Sequence, residues 1–207
     1  MVDASRRTLL GMAGASAMLP ASARAQGARI DLERTPYTSA VTGSGQPSRW
    51  ALVEDAGRKV LAQTSADKTD YRFPLAIFEQ PVMVDVDVAV RFKAVAGEVD
   101  RAAGIAVRLV DKDNYYVARA NALEDNVRLY KVVKGQRMQF AGANVKVPSG
   151  AWHELRLAAR GNRFEVFFNG TSLYGATDAT LAGTGRVALW TKADSVTYFD
   201  DVRIQSL

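Results

Sequence analysis

The sequence predicts an all-β protein, an antiparallel sandwich or barrel. Three observations lead there. Val82-Met-Val-Asp-Val-Asp-Val-Ala-Val-Arg-Phe92 alternates without a break, valines on one side and Asp85, Asp87 and Arg91 on the other. Between Ala102 and Val133 lie three more alternating runs, Ile105–Val110, Tyr115–Ala120 and Val127–Val133, separated by Asp/Asn-rich segments. Period-2 alternation bounded by such clusters marks strand, turn, strand. Finally, no helix-period segment of ten or more residues follows the first 25 residues, so a βα alternation is excluded.

The elements follow in order. Residues 26–46 are polar and carry Gly43-Ser-Gly45, which reads as a short edge strand and a flexible approach. Trp50–Val53 and Lys59–Gln63 flank the turn signal Glu54-Asp-Ala-Gly57 and form a hairpin. Asp67–Asp70 is a loop, and Pro74–Phe78 is a short strand ending before Pro81. Val82–Phe92 is the longest strand, with Val84, Val86 and Val88 expected in the core. Gly97–Arg101 turns into the meander, where Ile105, Val107 and Leu109 share one face. Gly135-Gln-Arg137 turns into Met138–Ala141, and Pro148-Ser-Gly150 punctuates. Trp152–Ala159, Arg163–Phe168, Leu173-Tyr174, Arg186–Lys192 and Val196–Ile204 complete about a dozen strands, with Asn169-Gly170 a strong hairpin dipeptide. Trp50 and Trp152 read as core residues, and His153 as a surface residue.

Composition narrows the function. At 207 residues and 48% hydrophobic, the chain buries one core. The net charge is +5; Arg6, Arg7 and Arg24 against Asp3 account for +2 of it, leaving +3 for the rest. That mild, interspersed excess is not the clustered basic surface of a nucleic-acid binder. Cysteine is absent and His153 is the only histidine, so disulfides, thiolate chemistry, a catalytic triad and a multi-histidine metal site are excluded.

Residues 1–25 read as a twin-arginine signal peptide. Ser5-Arg-Arg-Thr-Leu-Leu10 precedes an apolar stretch to Leu19, and Ala23-Arg-Ala25 offers a small-x-small cleavage pattern. The expectation is cleavage after Ala25, a single domain over 26–207 and a periplasmic or secreted, monomeric product. No segment is long and apolar enough to be a membrane span.

Several stretches carry a family resemblance: Lys59-Val-Leu-Ala-Gln63, Tyr71-Arg-Phe-Pro-Leu-Ala-Ile77, Asp113-Asn-Tyr-Tyr116, Arg119–Lys131 and Leu189-Trp-Thr-Lys-Ala-Asp-Ser195. Together they resemble exported bacterial domains of the concanavalin A-like lectin/glucanase superfamily. Among these the chain is similar to laminin G-like modules and to the 3-keto-disaccharide hydrolase domain, over nearly all of 26–207. The resemblance implies a two-sheet antiparallel β-sandwich, a concanavalin A-like jelly roll, often with a carbohydrate site on the concave sheet or in the loops at its rim.

The candidate site is the polar face of the meander. Arg108, Arg119 and Arg128 recur once per strand, joined by Asn121, Tyr130, Trp190 and Lys192. Guanidinium and amide groups bond hydroxyls and carboxylates in fixed geometry, and aromatic rings stack on sugar faces. A tryptophan alternating in phase with a lysine reads as cleft lining. The ligand expected is a carbohydrate or small polar molecule. A 3-keto-glycoside hydrolase or lyase is the alternative, with His153, Glu124 or Asp194 as base and Arg108 or Lys192 as electrophilic stabiliser. A non-catalytic envelope module is the third reading. Glu98-Val-Asp100 matches the start of the family 16 glucanase motif, but Ala103 stands where its third acid belongs, and a polar turn is the better reading. No metal or cofactor is called for. Asp111, Asp113 and Asn114, or Asp200-Asp201, are too few oxygens for the six to eight ligands calcium takes, and Asx-turn capping suits the first group better.

Overall fold

The computed structural model describes residues 27–207, so the signal peptide expected over 1–25 lies outside the described residues. Strands β1 (Ala28–Arg29), β3 (Trp50–Asp55), β4 (Arg58–Gln63), β6 (Val86–Ala96), β11 (Trp152–Arg160), β12 (Arg163–Phe168), β13 (Thr171–Thr177) and β15 (Val196–Ser206) form an eight-stranded sheet. Its order is β13-β12-β11-β6-β15-β4-β3, with β1 added to β15. The second sheet has seven strands: β2 (Tyr37–Gly43), β5 (Arg72–Phe78), β7 (Ala102–Asp111), β8 (Asn114–Asn121), β9 (Asn126–Val133), β10 (Gln136–Asn144) and β14 (Arg186–Trp190). Its order is β10-β9-β8-β7-β14-β5-β2. Every pairing is antiparallel, as the hairpin-rich sequence implies. No helix among the described residues is long and apolar enough to cross a membrane.

Local chemistry sets the tight hairpins. Ala56-Gly57, Lys134-Gly135 and Asn169-Gly170 all take positive φ at both central positions. That backbone matches the right-handed twist of the strands they join. The β9–β10 turn is therefore Lys134-Gly135, and Arg137 lies inside a strand rather than in the expected three-residue turn.

The sheets face each other across a core built from alternate residues. Val86, Val88, Val90 and Phe92 of β6 meet Ile105 and Val107 of β7, Leu129 of β9 and Leu189 of β14, all at most 1% exposed. The long valine run enters the sheet only at Val86. Val84 lies before the strand, where its carbonyl accepts a bond from Arg108 Nε at 2.9 Å.

Two tertiary features depart from the alternation. Arg108 has φ +49° and sits in a bulge where the β7–β8 register slips between Val107 and Asp111. A bulge inserts a residue and reverses the phase of the strand. Leu109 consequently leaves the face of Ile105 and Val107 and joins a second apolar cluster. Gly185 permits the bulge, because a Cβ there would stand 2.2 Å from the Arg108 carbonyl carbon.

The second feature is curl. β10 and β5 are five strands apart, about 24 Å in a flat sheet. Yet the Tyr71 hydroxyl, one residue before β5, donates to the Gly135 carbonyl (2.8 Å) and accepts from the Arg137 amide (2.9 Å). The sheet bends back on itself. Its outer face becomes a small enclosed core of Phe73, Leu75, Tyr115, Val117, Tyr130 and Trp190.

Candidate functional site

The structure gathers much of the expected meander face but closes it. Arg119 and Arg128 stand opposite each other on β8 and β9. The Arg119 guanidinium lies 5.6 Å from the Tyr130 ring. Trp190 is fully buried, stacked on Phe73 at 5.3 Å, and its indole N–H donates to Tyr115 Oη at 3.1 Å. Arg137 caps the enclosure, 4.6 Å from both Phe73 and Tyr130 and 6.0 Å from Trp190. Trp190 is thus core and not an open platform, and Tyr130 is nearly buried with it. The physical reason is the curl: alternation places a side chain on a face, but not that face in solvent. Arg128 remains half-buried and donates to Asn144 Oδ1 at 2.6 Å.

Arg108 is elsewhere. Its bulge sends it to the end of the sandwich, where it donates to the carbonyls of Val84, Leu181 and Gly161 and lies 3.4 Å from Asp85. At 1% exposure it ties three loops together and shares no face with Arg119 or Trp190.

At the rim of the curl is a charged network. Lys192 reaches Asp100 at 3.0 Å and also Asp70; Asn121 donates to Asp100 at 2.8 Å. Arg119 donates to Glu124 at 2.9 Å and to Asn126 at 2.5 Å. Burial pushes the Asp100 carboxyl up against the pull of Lys192 and Arg119. For Glu124, burial pushes the same way, but bonds from Arg119 and Asn126 outweigh it and hold the group below the usual carboxylate range. Lys192 is lowered by burial and raised more by Asp70 and Asp100, so it stays an ammonium ion.

The other proposed bases are occupied. Asp194 accepts the amides of Glu98 (2.7 Å), Val99 (3.1 Å) and Asp100 (3.0 Å), so it builds the turn that carries Glu98-Val-Asp100. His153 faces inward at 8% exposure, between the Pro148 carbonyl (2.9 Å) and Asn169 Nδ2 (3.2 Å). It is Trp152 that faces outward, the reverse of the expected pair. Asp111 accepts from the Asp113 amide (2.7 Å) and the Asn114 side chain (2.9 Å), an Asx arrangement.

An open cleft lies on the outer face of the eight-stranded sheet, with a volume of about 560 Å³. Arg156 of β11, Ala89 of β6 and Arg203 of β15 stand side by side in register. The small Ala89 forms the floor and the arginines the walls. Glu154 lies opposite Arg91 in strand register in the next row. Two guanidiniums are backed by rings: Arg91 lies 5.2 Å from Trp152, and Arg156 lies 4.5 Å from Phe167. Arg156 also pairs with Asp87, and Arg203 with Glu154 and Asp201. Stacking and pairing fix the guanidinium planes, so their donors are preorganised. Sequence reasoning missed this site, although Leu155 and Leu157 point inward and alternation from them puts Trp152, Glu154 and Arg156 outward.

Fold and cleft together define a jelly-roll sandwich with a polar, arginine-lined groove. The chain belongs to the 3-keto-alpha-glucoside-1,2-lyase-like domain family, whose signature matches residues 53–205. No curated protein matches it. Among solved structures it is similar to the carbohydrate-binding module CBM66 of Bacillus subtilis, at 19% identity over 81% of this chain and 95% of that one, TM-score 0.64. A Bacillus subtilis protein with a galectin-like fold matches at 10% identity over 81% and 89%, TM-score 0.59. The GH43 protein BlXynB of Bacillus licheniformis matches at 14% over 76% of this chain and 34% of that one, TM-score 0.54. These likenesses are of fold.

Proposed function

We propose that the protein binds carbohydrate in the cleft floored by Ala89. The observation that carries this reading is the pair of ring-backed guanidiniums, Arg91 on Trp152 and Arg156 on Phe167, at the sides of a small-residue floor. The cleft volume is in the range of small-molecule sites, and fixed planar donors suit a ligand made of hydroxyls. The fold likeness to a carbohydrate-binding module supports it. Export through a twin-arginine signal in residues 1–25 would place such a domain among extracellular glycans. Calorimetry against an oligosaccharide panel tests the site. Ala89→Leu fills the floor, and Phe167→Ala removes a ring that makes no hydrogen bond of its own. Each is expected to weaken binding about tenfold, equivalent to about 1.4 kcal/mol, while thermal unfolding stays within a few degrees of the parent. Unchanged affinity in both variants would move the site off this face.

The family match favours a second reading, elimination on a 3-keto-glycoside at the rim of the curl. A base takes the proton from the carbon beside the ketone, and the enolate electron pair expels the glycosidic oxygen from the next carbon. That oxygen takes a proton and leaves an enone. Glu124, its side chain 52% exposed, is a reachable carboxylate there, with Arg119 and Lys192 supplying positive charge for the enolate. Incubation with a 3-keto-glucoside should raise the ultraviolet absorbance of the enone, and Glu124→Gln should reduce the rate by at least about a hundredfold. Absence of turnover by the parent leaves the binding reading alone.

A further inference from the structure

We infer that the cleft selects acidic sugars, with Arg91 receiving the carboxylate of a uronic acid residue; this rests on the binding reading above. Arg156 is matched by Asp87 and Arg203 by Glu154, while Asp201 lies nearer to Arg29 (3.1 Å) than to Arg203 (3.6 Å). Arg91 has no carboxylate within ion-pair distance among the described residues, and its guanidinium accounts for no hydrogen bond there.

The acids around Arg91 are engaged by other cations. Glu154, opposite it on β11, is held by Arg203. Asp200, opposite it on β15, is held by Arg58 at 2.7 Å, with Arg29 at 3.7 Å. Asp55, beyond Trp152, accepts from Lys93 and from Trp152 Nε1 at 3.1 Å.

A guanidinium that is half-buried, held over an indole ring and unmatched by a carboxylate presents a free fork of donors. A carboxylate fits that fork with two parallel bonds, which hydroxyls match only with weaker neutral acceptors. The remaining polar groups of the cleft suit the rest of the sugar. Asn169 lines the same cleft; its Oδ1 accepts from the Glu154 amide (2.9 Å) and its Nδ2 lies 3.2 Å from His153 Nδ1, which leaves one N–H and one lone pair for a hydroxyl.

The experiment compares glucuronic- and galacturonic-acid oligosaccharides with their neutral glucose and galactose counterparts by calorimetry, with sulfated neutral oligosaccharides as a third arm. Binding of the uronic oligosaccharides at least tenfold tighter than the neutral ones, weakening as salt is raised, is the expected result. Arg91→Ala should abolish that preference, the acidic ligands losing at least about tenfold more affinity than the neutral ones, and Arg91→Lys should restore only part of it, because an ammonium has no fork. Melting temperatures of both variants verify the fold. Equal affinity for acidic and neutral ligands in the parent, with Phe167→Ala still weakening both, overturns the acid preference and leaves carbohydrate binding standing. Tighter binding of the sulfated arm than of the uronic arm overturns the carboxylate assignment. Failure of every panel member to bind overturns both readings together.

Discussion

Trp190→Ala is expected to destabilise the domain by about 3–5 kcal/mol, the cost of emptying a large aromatic site in a packed interior. Nothing of Trp190 is exposed. Its ring stacks on Phe73, lies under the Arg137 guanidinium and hydrogen-bonds Tyr115. Gly104 stands directly beneath it; a Cβ there would come within 3.1 Å of the indole and 2.9 Å of the Ala118 carbonyl. The backbone has been kept bare to let the ring in, so the cavity left by alanine has little nearby to refill it. For a domain of this size each kcal/mol is worth about 2–4 °C, so the melting temperature should fall by roughly 6–20 °C. Chemical denaturation should give the same loss at unchanged slope. A melting temperature within 2 °C or so of the parent would mean that the curled face is not a second core.

Val88→Asp is expected to cost more, roughly 4–5 kcal/mol or beyond, because it buries a carboxylate with no partner. Val88 is fully buried in the centre of the sandwich, between Leu157 of β11 and Ile204 of β15 in register. A loss of that size is comparable with the whole stability of an ordinary domain, so poor recovery of folded protein is part of the expected outcome. The pH dependence gives a second readout. An apolar site raises the pKa of the introduced carboxyl above its unfolded value near 3.9. The folded state then binds the proton more tightly, so the deficit is small at about pH 4 and grows toward neutrality until the folded group ionises. Val88→Asn, which carries no charge, should lack that dependence. A Val88→Asp protein as stable as the parent at pH 7 would place β6 outside the core.

Glu124 and Lys192 could be named from the sequence as a candidate base and stabiliser, but not their proximity, which comes from the network that runs through Arg119 and Asp100. The expected association of Arg108 with Trp190 was not a property of spacing. It assumed unbroken alternation along β7, which the bulge interrupts. Arg91, Arg156 and Phe167 drew no attention as a group because they lie on three strands. Only pairing of β6 with β11 and of β11 with β12 makes them neighbours.

By itself the sequence determined the all-β class, the valine face of β6, the meander and the Asn169-Gly170 hairpin. Each of these follows from interactions within a few residues: side chains alternate across a strand, and particular dipeptides accept positive φ. The tertiary structure alone decided which polar face meets solvent. Curl depends on how seven strands twist together, and it turned the face of Trp190 and Tyr130 into an interior. The outer face of the eight-stranded sheet stayed open, because its register set small Ala89 between Arg156 and Arg203 and left a groove there.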